Sequence, residues 1–314
     1  GNGDGVLNAA EVSLIESMIA MDDPRHARLR RIVSAGFTPR MLKRLEDTVQ
    51  QTASGIVDDV CERGEVDFVV DVAAALPLRI VCDLMGIPES HYQEVFDCSN
   101  VILGASDPEY VPPGGDILSA IFNAALTLQG IMEEVAESKK GLDSDDLTTT
   151  LVNAKIEDDQ LSPSDIAGFF ILLVVAGNET TRNATAHGMH ALLTNPDQFT
   201  LLKSDVEKHL DTAVDEIIRW ASPVLHFRRT TTEPTELLGQ EIEKGSRVVM
   251  WYISANRDED VFTDPFVFDI TRTPNDHIAF GGGGAHYCLG ANLARAELRL
   301  IFKEIALRMP DMKM

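Results

Sequence analysis

The segment that most constrains the fold is SPSDIAGFFILLVVAGNETTRNATAHGMHALLTNP, at residues 162–196, which has the pattern of one long helix. It begins at a Ser-Pro-Ser-Asp capping signal and ends at Asn-Pro, a helix stop. Its first half is apolar around the whole circumference, and a helix of that kind is buried at the centre of a protein. The sequence therefore predicts a helical fold built around this segment.

Helical periodicity also dominates the chain before this segment. Five further helices are predicted, over residues 38–64, 71–88, 88–104, 117–141 and 145–156. After Trp220 the pattern changes to short β-like runs with turns, LHFRRTTT and TELLGQEIEKGSRVVMWYISA, and then to an irregular stretch rich in Pro and Asp. The predicted fold class is mainly α with a small β element, in a single domain over residues 1–314.

Composition excludes several classes of protein. Fifty acidic against 27 basic residues give a net charge of -23, which argues against nucleic acid as a general partner because phosphate is repelled. The four cysteines show no CxxC spacing, so neither a disulfide framework nor a zinc ribbon is indicated. The longest apolar run is too short to span a bilayer and no signal-peptide pattern opens the chain. We predict a cytoplasmic protein without a membrane span.

One stretch departs from this acidic composition. From Arg25 to Arg44 the chain carries seven Arg or Lys and no Asp or Glu. One explanation is a solvent-exposed helix face, which is what most runs of charged residues form. The other is electrostatic docking of an acidic partner. The stretch alone leaves both open.

Polar residues interrupt the central helix at AGNETTRN, residues 176–183. A glycine, a carboxylate and two threonines are costly choices inside a buried helix. They are either a harmless patch where the helix reaches the surface, or a site. In a site, Gly177 would let a ligand approach the backbone, while Thr180 and Glu179 would offer it a hydroxyl and a proton carrier.

The segment DEIIRW places Glu216 and Arg219 three residues apart, on one helical face and within reach of an ion pair. Most such pairs lie at the surface and contribute little to stability. A bidentate pair that also meets a second arginine would be structural.

A single cysteine, Cys288, stands between four glycines and an amphipathic helix in HIAFGGGGAHYCLGANLARAELRL. A thiolate at the start of a helix is stabilised by backbone N–H groups and by the helix dipole, so it is a plausible soft ligand for iron. An inert buried cysteine is the usual alternative. A phosphate-binding loop is a third, but no Lys-Ser/Thr follows the glycines.

A partial calcium-loop pattern lies near the start of the chain, in NGDGVLNAAE at residues 2–11. Its later positions fit, whereas the first ligand and the entering helix are absent, so a chance turn before a helix is preferred. A calcium-responsive helical binding protein stays as an alternative function.

Five segments together resemble one family. AFGGGGAHYCLGANLARAE resembles the haem-binding loop of cytochrome P450 monooxygenases, and AGNETT resembles their oxygen-activation motif. EIIR resembles their Glu-x-x-Arg pair, FTDPFVFDITRTPNDH the segment that adds a second arginine, and DDPRHARLRRIVSAGFTPR the helix that binds a haem propionate. The chain is most similar to actinobacterial hydroxylases of steroid side chains and methyl-branched lipids. The resemblance also implies a β-rich region and a β hairpin beyond the two ends, as expected of an internal fragment of the cytochrome P450 fold.

The resemblance implies haem b as cofactor, O2 as co-substrate, and electrons from NAD(P)H through a ferredoxin reductase and a ferredoxin that docks near Arg25–Arg44. Cys288 would be the axial ligand of the iron, and Glu179 and Thr180 would be catalytic. The other residues implied to hold the haem are His286, Arg229, His26, Arg30, Ala176, Gly177, Phe280, Gly284 and Gly290. Those implied to line the substrate pocket are Val174, Val175, Val224 and Leu225, and those with a structural role are Glu216, Arg219 and Arg272. A non-catalytic fragment that binds haem or lipid is the second alternative.

Overall fold

The computed structural model describes residues 17–34, 39–104, 107–111, 114–144, 146–153 and 161–314. These residues fall into two compact units. The first consists of Gly1–Arg182 with Asn292–Leu300, and the second of Asn183–Ala291 with Ile301–Met314. The partial calcium pattern at residues 2–11 lies outside the described residues.

Helices form the first unit. They are α1 (Arg25–Ser34), α2 (Pro39–Val60), α3 (Ala75–Met85), α4 (Tyr92–Gly104), α5 (Ile117–Lys139), α6 (Leu147–Asn153) and the part of α7 (Pro163–Thr194) that ends at Arg182. Helix α2 packs on α3, α4 on α5, and α5 on α6. The five helices predicted before the central segment are confirmed, and the ends that lie among the described residues fall short of the predicted bounds or reach them.

The helix predicted over residues 71–88 differs from expectation at its start. A short π-helical turn, Phe68–Ala73, precedes α3, and the Asp67 carboxylate caps it by accepting hydrogen bonds from the Val69 and Val70 N–H groups. At the other end, Gly86 adopts a left-handed conformation with φ of 67° and closes the helix. The helix thus ends at Met85, short of the predicted limit of residue 88, and the Asp67 cap had no counterpart in the apolar pattern.

The second unit combines helices with two small sheets. Its elements are α8 (Pro196–Ser204), α9 (Val206–Ala221), β1 (His226–Thr230), β2 (Thr235–Leu237), β3 (Gln240–Ile242), β4 (Arg247–Trp251) and α10 (Tyr252–Ala255), together with the ends of α7 and of α11 (Ala291–Arg308). Strand β1 pairs antiparallel with β4, Phe227 lying opposite Met250, and β2 pairs antiparallel with β3. The prediction of a mainly α fold with a small β element is confirmed.

Glycine allows close helix packing at one point of the second unit. A Cβ atom added to Gly188 of α7 would lie 2.6 Å from Ile217 Cγ2 and 2.9 Å from Phe302 Cζ. Only a residue without a side chain fits between α9 and the end of α11 there. In the part of the chain that the structure describes, no helix combines the length and the apolar character needed to cross a membrane.

Candidate active site

The loop before α11 is shaped by its glycines. Gly281, Gly283 and Gly284 have φ of 99°, 100° and 84°, a left-handed region that residues with a side chain rarely adopt. The Cys288 N–H donates to the Phe280 carbonyl oxygen at 3.0 Å, and the Tyr287 N–H to that of Gly284 at 3.2 Å. These bonds fold the loop back on itself and place Cys288, which is exposed, three residues before α11.

The backbone of this loop is open on one side. A Cβ added to Gly282, Gly283, Gly284 or Gly290 would meet no heavy atom of the described residues within 4 Å, apart from its own chain neighbours. The cysteine thus stands on a surface that a flat group could approach to van der Waals distance. Of the other predicted ligands in the second unit, Phe280 and His286 are half-buried and Arg229, on β1, is exposed.

The second unit also contains a buried ion cluster, formed by α9 and the irregular segment that follows α10. Glu216 and Arg219 of α9 are both fully buried. Their pairing is bidentate, since Arg219 Nε donates to Glu216 Oε2 and Nη2 to Oε1, each at 2.8 Å. Arg272 Nε adds a second arginine at 3.1 Å from Glu216 Oε2. The predicted spacing therefore gives the bidentate, two-arginine geometry that distinguishes a structural cluster from a surface pair.

The same cluster holds the irregular segment after α10 in place. The guanidinium of Arg219 donates to the carbonyl oxygens of Asn256, at 2.7 Å, and Pro265, at 2.9 Å. Arg272 donates to the carbonyls of Thr263, at 2.7 Å, and Val267, at 2.9 Å. A segment without regular secondary structure thus has several of its carbonyl groups satisfied by two arginines, whose two positive charges are partly offset by the Glu216 carboxylate.

The motif in α7 presents two different faces in the first unit. Ala176 is exposed and Thr180, one turn later, is half-buried, its hydroxyl donating to the Ala176 carbonyl at 2.7 Å. Asn178 and Thr181 are buried on the opposite side. Glu179 has a side chain 34% exposed and can exchange protons with solvent. Ala176, Glu179 and Thr180 thus share the more accessible side of the helix, and their roles beside a cofactor stay predictions.

Two residues of α7 make contacts that the sequence did not show. A Cβ added to Gly177 would lie 3.1 Å from Val81 Cγ2, so the glycine lets α3 of the same unit pack closely, and its place beside a haem stays a prediction. Val174 is 0% exposed and shares the inner face with Asn178, four residues on, which removes it from the predicted pocket lining. Val175 is half-buried and is compatible with that lining, and Val224 and Leu225 of the second unit are partly exposed.

On α1, His26 and Arg30 are one turn apart and share a face. His26 is buried, with Nδ1 3.4 Å from Asp23 Oδ1, and Arg30 is half-buried. The arginines Arg25, Arg28 and Arg31 are exposed on the same helix. The described part of the predicted basic stretch therefore has an inner pair and an outer arginine surface.

Comparison with known proteins decides the family. The family model described as Cytochrome P450 matches residues 5–308. The chain belongs to the cytochrome P450 monooxygenase family. A curated relative from Mycobacterium tuberculosis, named methyl-branched lipid omega-hydroxylase, is 48% identical over 300 residues, which is 94% of this chain and 69% of the relative. A steroid C26-monooxygenase of Rhodococcus jostii is 48% identical over 295 residues, 94% of this chain and 60% of that protein.

Solved structures agree with this assignment. A cytochrome P450 of Mycobacterium marinum in complex with pseudoionone is 43% identical, with a TM-score of 0.91 over 96% of this chain and 74% of that one. The resemblance to actinobacterial hydroxylases of steroids and methyl-branched lipids, and the cytochrome P450 fold, are confirmed. The single-domain organisation stays a prediction.

The residues of this cytochrome P450 fit a haem. The family's cofactor is held by a cysteine thiolate, and this chain offers an exposed cysteine ahead of a helix on a loop whose glycines leave the backbone open. Imidazole and guanidinium groups suit carboxylates such as haem propionates; the first unit contains His26 and Arg30, and the second unit contains Arg229 and His286.

Two contacts in the first unit escaped the sequence analysis. Arg182 of α7 bonds to Asn100 of α4, 82 residues away along the chain. Glu297 of α11 is 3% exposed, and burial raises its pKa to about 8, an effect that a hydrogen bond with Thr181 partly offsets. No pattern within a single element could reveal either contact, because each joins helices that are distant in sequence.

Proposed function

We propose that this protein is a haem-thiolate monooxygenase that inserts one oxygen atom of O2 into a C–H bond of a hydrophobic substrate. The observation that carries the proposal is the exposed Cys288 on an open glycine loop immediately before α11. Backbone N–H groups at the start of a helix stabilise a thiolate, the form of cysteine that binds iron. Bound through that sulfur, the haem supplies the oxidising chemistry.

The remaining residues hold the cofactor and manage protons. His26, Arg30, Arg229 and His286 would donate to the haem propionates, and Phe280, Gly284 and Gly290 would shape the surface under the ring. Thr180 holds a proton on Oγ1, donated at rest to the Ala176 carbonyl. The half-exposed Glu179 collects protons from solvent and passes them towards Thr180, as a general acid must. Glu216, Arg219 and Arg272 act only by fixing the irregular segment.

The substrate we propose is the terminal methyl group of a sterol side chain or of a methyl-branched lipid. Two relatives that are each 48% identical are named for such reactions. Val175, Val224 and Leu225 would contribute apolar surface, which a ligand of this kind needs.

Electrons would come from NAD(P)H through a ferredoxin reductase and a ferredoxin. The exposed Arg25, Arg28 and Arg31 of α1 offer an acidic ferredoxin a positive surface on a protein of net charge -23. Because the rest of the protein is strongly acidic, such a partner would be steered to this surface and repelled elsewhere.

The test is oxygen incorporation under isotopically labelled O2. The protein, in the full length that its gene encodes, would be supplied with NAD(P)H, a ferredoxin, its reductase, and either cholestenone or a methyl-branched fatty acid. Mass spectrometry should find one labelled oxygen atom per product alcohol, with much less product from Thr180→Ala. Product without label, or no product from either substrate class, would contradict the proposal.

A further inference from the structure

We infer that Asn100 and Arg182 form a tether that positions Glu179, so that helix α4 sets where the proton carrier of the proposed reaction stands. The inference rests on the proposed function for the role of Glu179. Its geometry lies entirely within the first unit. Neither Asn100 nor Arg182 touches a reacting atom in this account, and both are positioning residues.

One guanidinium links the two groups. Arg182 Nη1 donates to Asn100 Oδ1 at 3.0 Å, while Nη2 lies 3.8 Å from Glu179 Oε1. The side chain of Arg182 is 14% exposed, so its charge interacts with Glu179 through a less screened medium than bulk water. The position of α4 is thus transmitted through one side chain to the carboxylate.

The separation of 3.8 Å matters for proton transfer. A direct charge-assisted bond between arginine and carboxylate has a length of about 2.7 to 2.9 Å. Asn100 accepts a hydrogen bond from Nη1 of Arg182 and so keeps Nη2 too far from Glu179 for a direct hydrogen bond. The Glu179 carboxylate therefore stays able to turn between solvent and Thr180. Without Asn100, Arg182 would close on Glu179 and occupy the oxygen that carries the proton.

A second polar pair joins the same helices and serves as an internal control. Asn178 Nδ2 donates to Ser99 Oγ at 3.2 Å, one turn before Arg182 on α7. Both side chains are fully buried, and Ser99 also donates to the Phe96 carbonyl at 2.8 Å. Ser99→Ala removes a bond between α4 and α7 without touching the ion pair of Glu179.

The expected consequence is a change in where the electrons go. In hydroxylation, one substrate molecule, one O2, two electrons and two protons give one alcohol and one water. If protons arrive in the wrong place, the same two electrons and two protons reduce O2 to hydrogen peroxide and the substrate is left intact. Mispositioning of Glu179 should therefore lower the product formed per NAD(P)H consumed and raise peroxide by the same amount.

The experiment compares Asn100→Ala, Arg182→Gln and Ser99→Ala with the wild type, all as full-length holoprotein. We expect Asn100→Ala and Arg182→Gln to lower the ratio of product to peroxide by about three- to tenfold, a fraction of the usual effect of a general acid. Their solvent isotope effect on product formation should rise. Ser99→Ala should match the wild type in both measurements.

A second readout does not depend on the haem. In a double-mutant cycle of thermal unfolding midpoints, Asn100→Ala and Arg182→Gln should be non-additive, whereas Ser99→Ala and Arg182→Gln should add. If the wild type hydroxylates its substrate but Asn100→Ala and Ser99→Ala give the same results in these measurements, the inference is overturned and the proposed function stands. A wild type that lacks the thiolate–haem carbon monoxide spectrum overturns the proposed function and the catalytic role of the tether together.

Discussion

Replacing Glu297 with glutamine should change how the stability of the protein depends on pH. Burial raises the pKa of Glu297 to about 8, against its ordinary value of 4.5. Between these two pH values the folded state holds a proton that the unfolded state has lost. Stability therefore falls as pH rises through this window, by about 1.4 kcal/mol per pH unit, and the loss stops once pH exceeds the folded pKa.

The substitution Glu297→Gln keeps the size of the side chain and a hydrogen-bonding group for Thr181, but it removes the titration. From pH 6 to pH 8 the wild type should lose roughly 2 to 3 kcal/mol of unfolding free energy relative to the variant. Urea denaturation of both proteins at pH 6, 7 and 8 measures this difference, and Glu259→Gln, at an exposed position, is the control. Infrared spectroscopy offers a direct check, since the wild type should show a protonated carboxyl band that titrates near pH 8 and is missing in the variant. Parallel stability profiles for wild type and variant would refute the reasoning.

Three further predictions follow from contacts in the second unit and from α1. Arg272→Ala should cost about 3 to 5 kcal/mol of unfolding free energy, because it removes a charge-assisted hydrogen bond to the buried Glu216 and takes a donor away from the Thr263 and Val267 carbonyl groups. The yield of folded protein and its unfolding midpoint measure the loss. Gly188→Ala should destabilise the protein by about 1 to 2 kcal/mol despite the better helix propensity of alanine, and Ile217→Ala should lower the unfolding midpoint by less in the Gly188→Ala background than in the wild type. Arg28→Glu should raise the KM for an acidic ferredoxin at low salt, and the difference from wild type should shrink as ionic strength increases. An unchanged midpoint in either stability test, or a KM difference that is independent of salt, would contradict the corresponding account.

The helices were predictable because each carries its own signal. These signals are local: the 3.6-residue period, the proline and glycine stops, and the spacing of Glu216 and Arg219. Any helix places residues three apart on one side, so the side chains of Glu216 and Arg219 meet on α9 whatever packs around them. Recognition of five motifs in order identified the family without any structure. The glycines before Cys288 also marked that segment as a loop, because glycine readily adopts the positive φ values that other residues avoid.

The errors concern direction around a helix. The first half of α7 is apolar on all sides, so the sequence could not show that Val174 faces the inside of the first unit. The sequence also could not show that Val81 of α3 packs closely against Gly177. The Arg182 contact with Asn100 depends on how α4 packs on α7, which is a tertiary property with no local signature.

Binding of haem iron by the Cys288 sulfur can be tested through the carbon monoxide spectrum of the reduced protein. We expect a strongly red-shifted Soret band in the full-length wild type and in Cys61→Ser, which removes another exposed cysteine, and no such band in Cys288→Ser. A red-shifted band that persists in Cys288→Ser, or a wild type that takes up no haem, would contradict it.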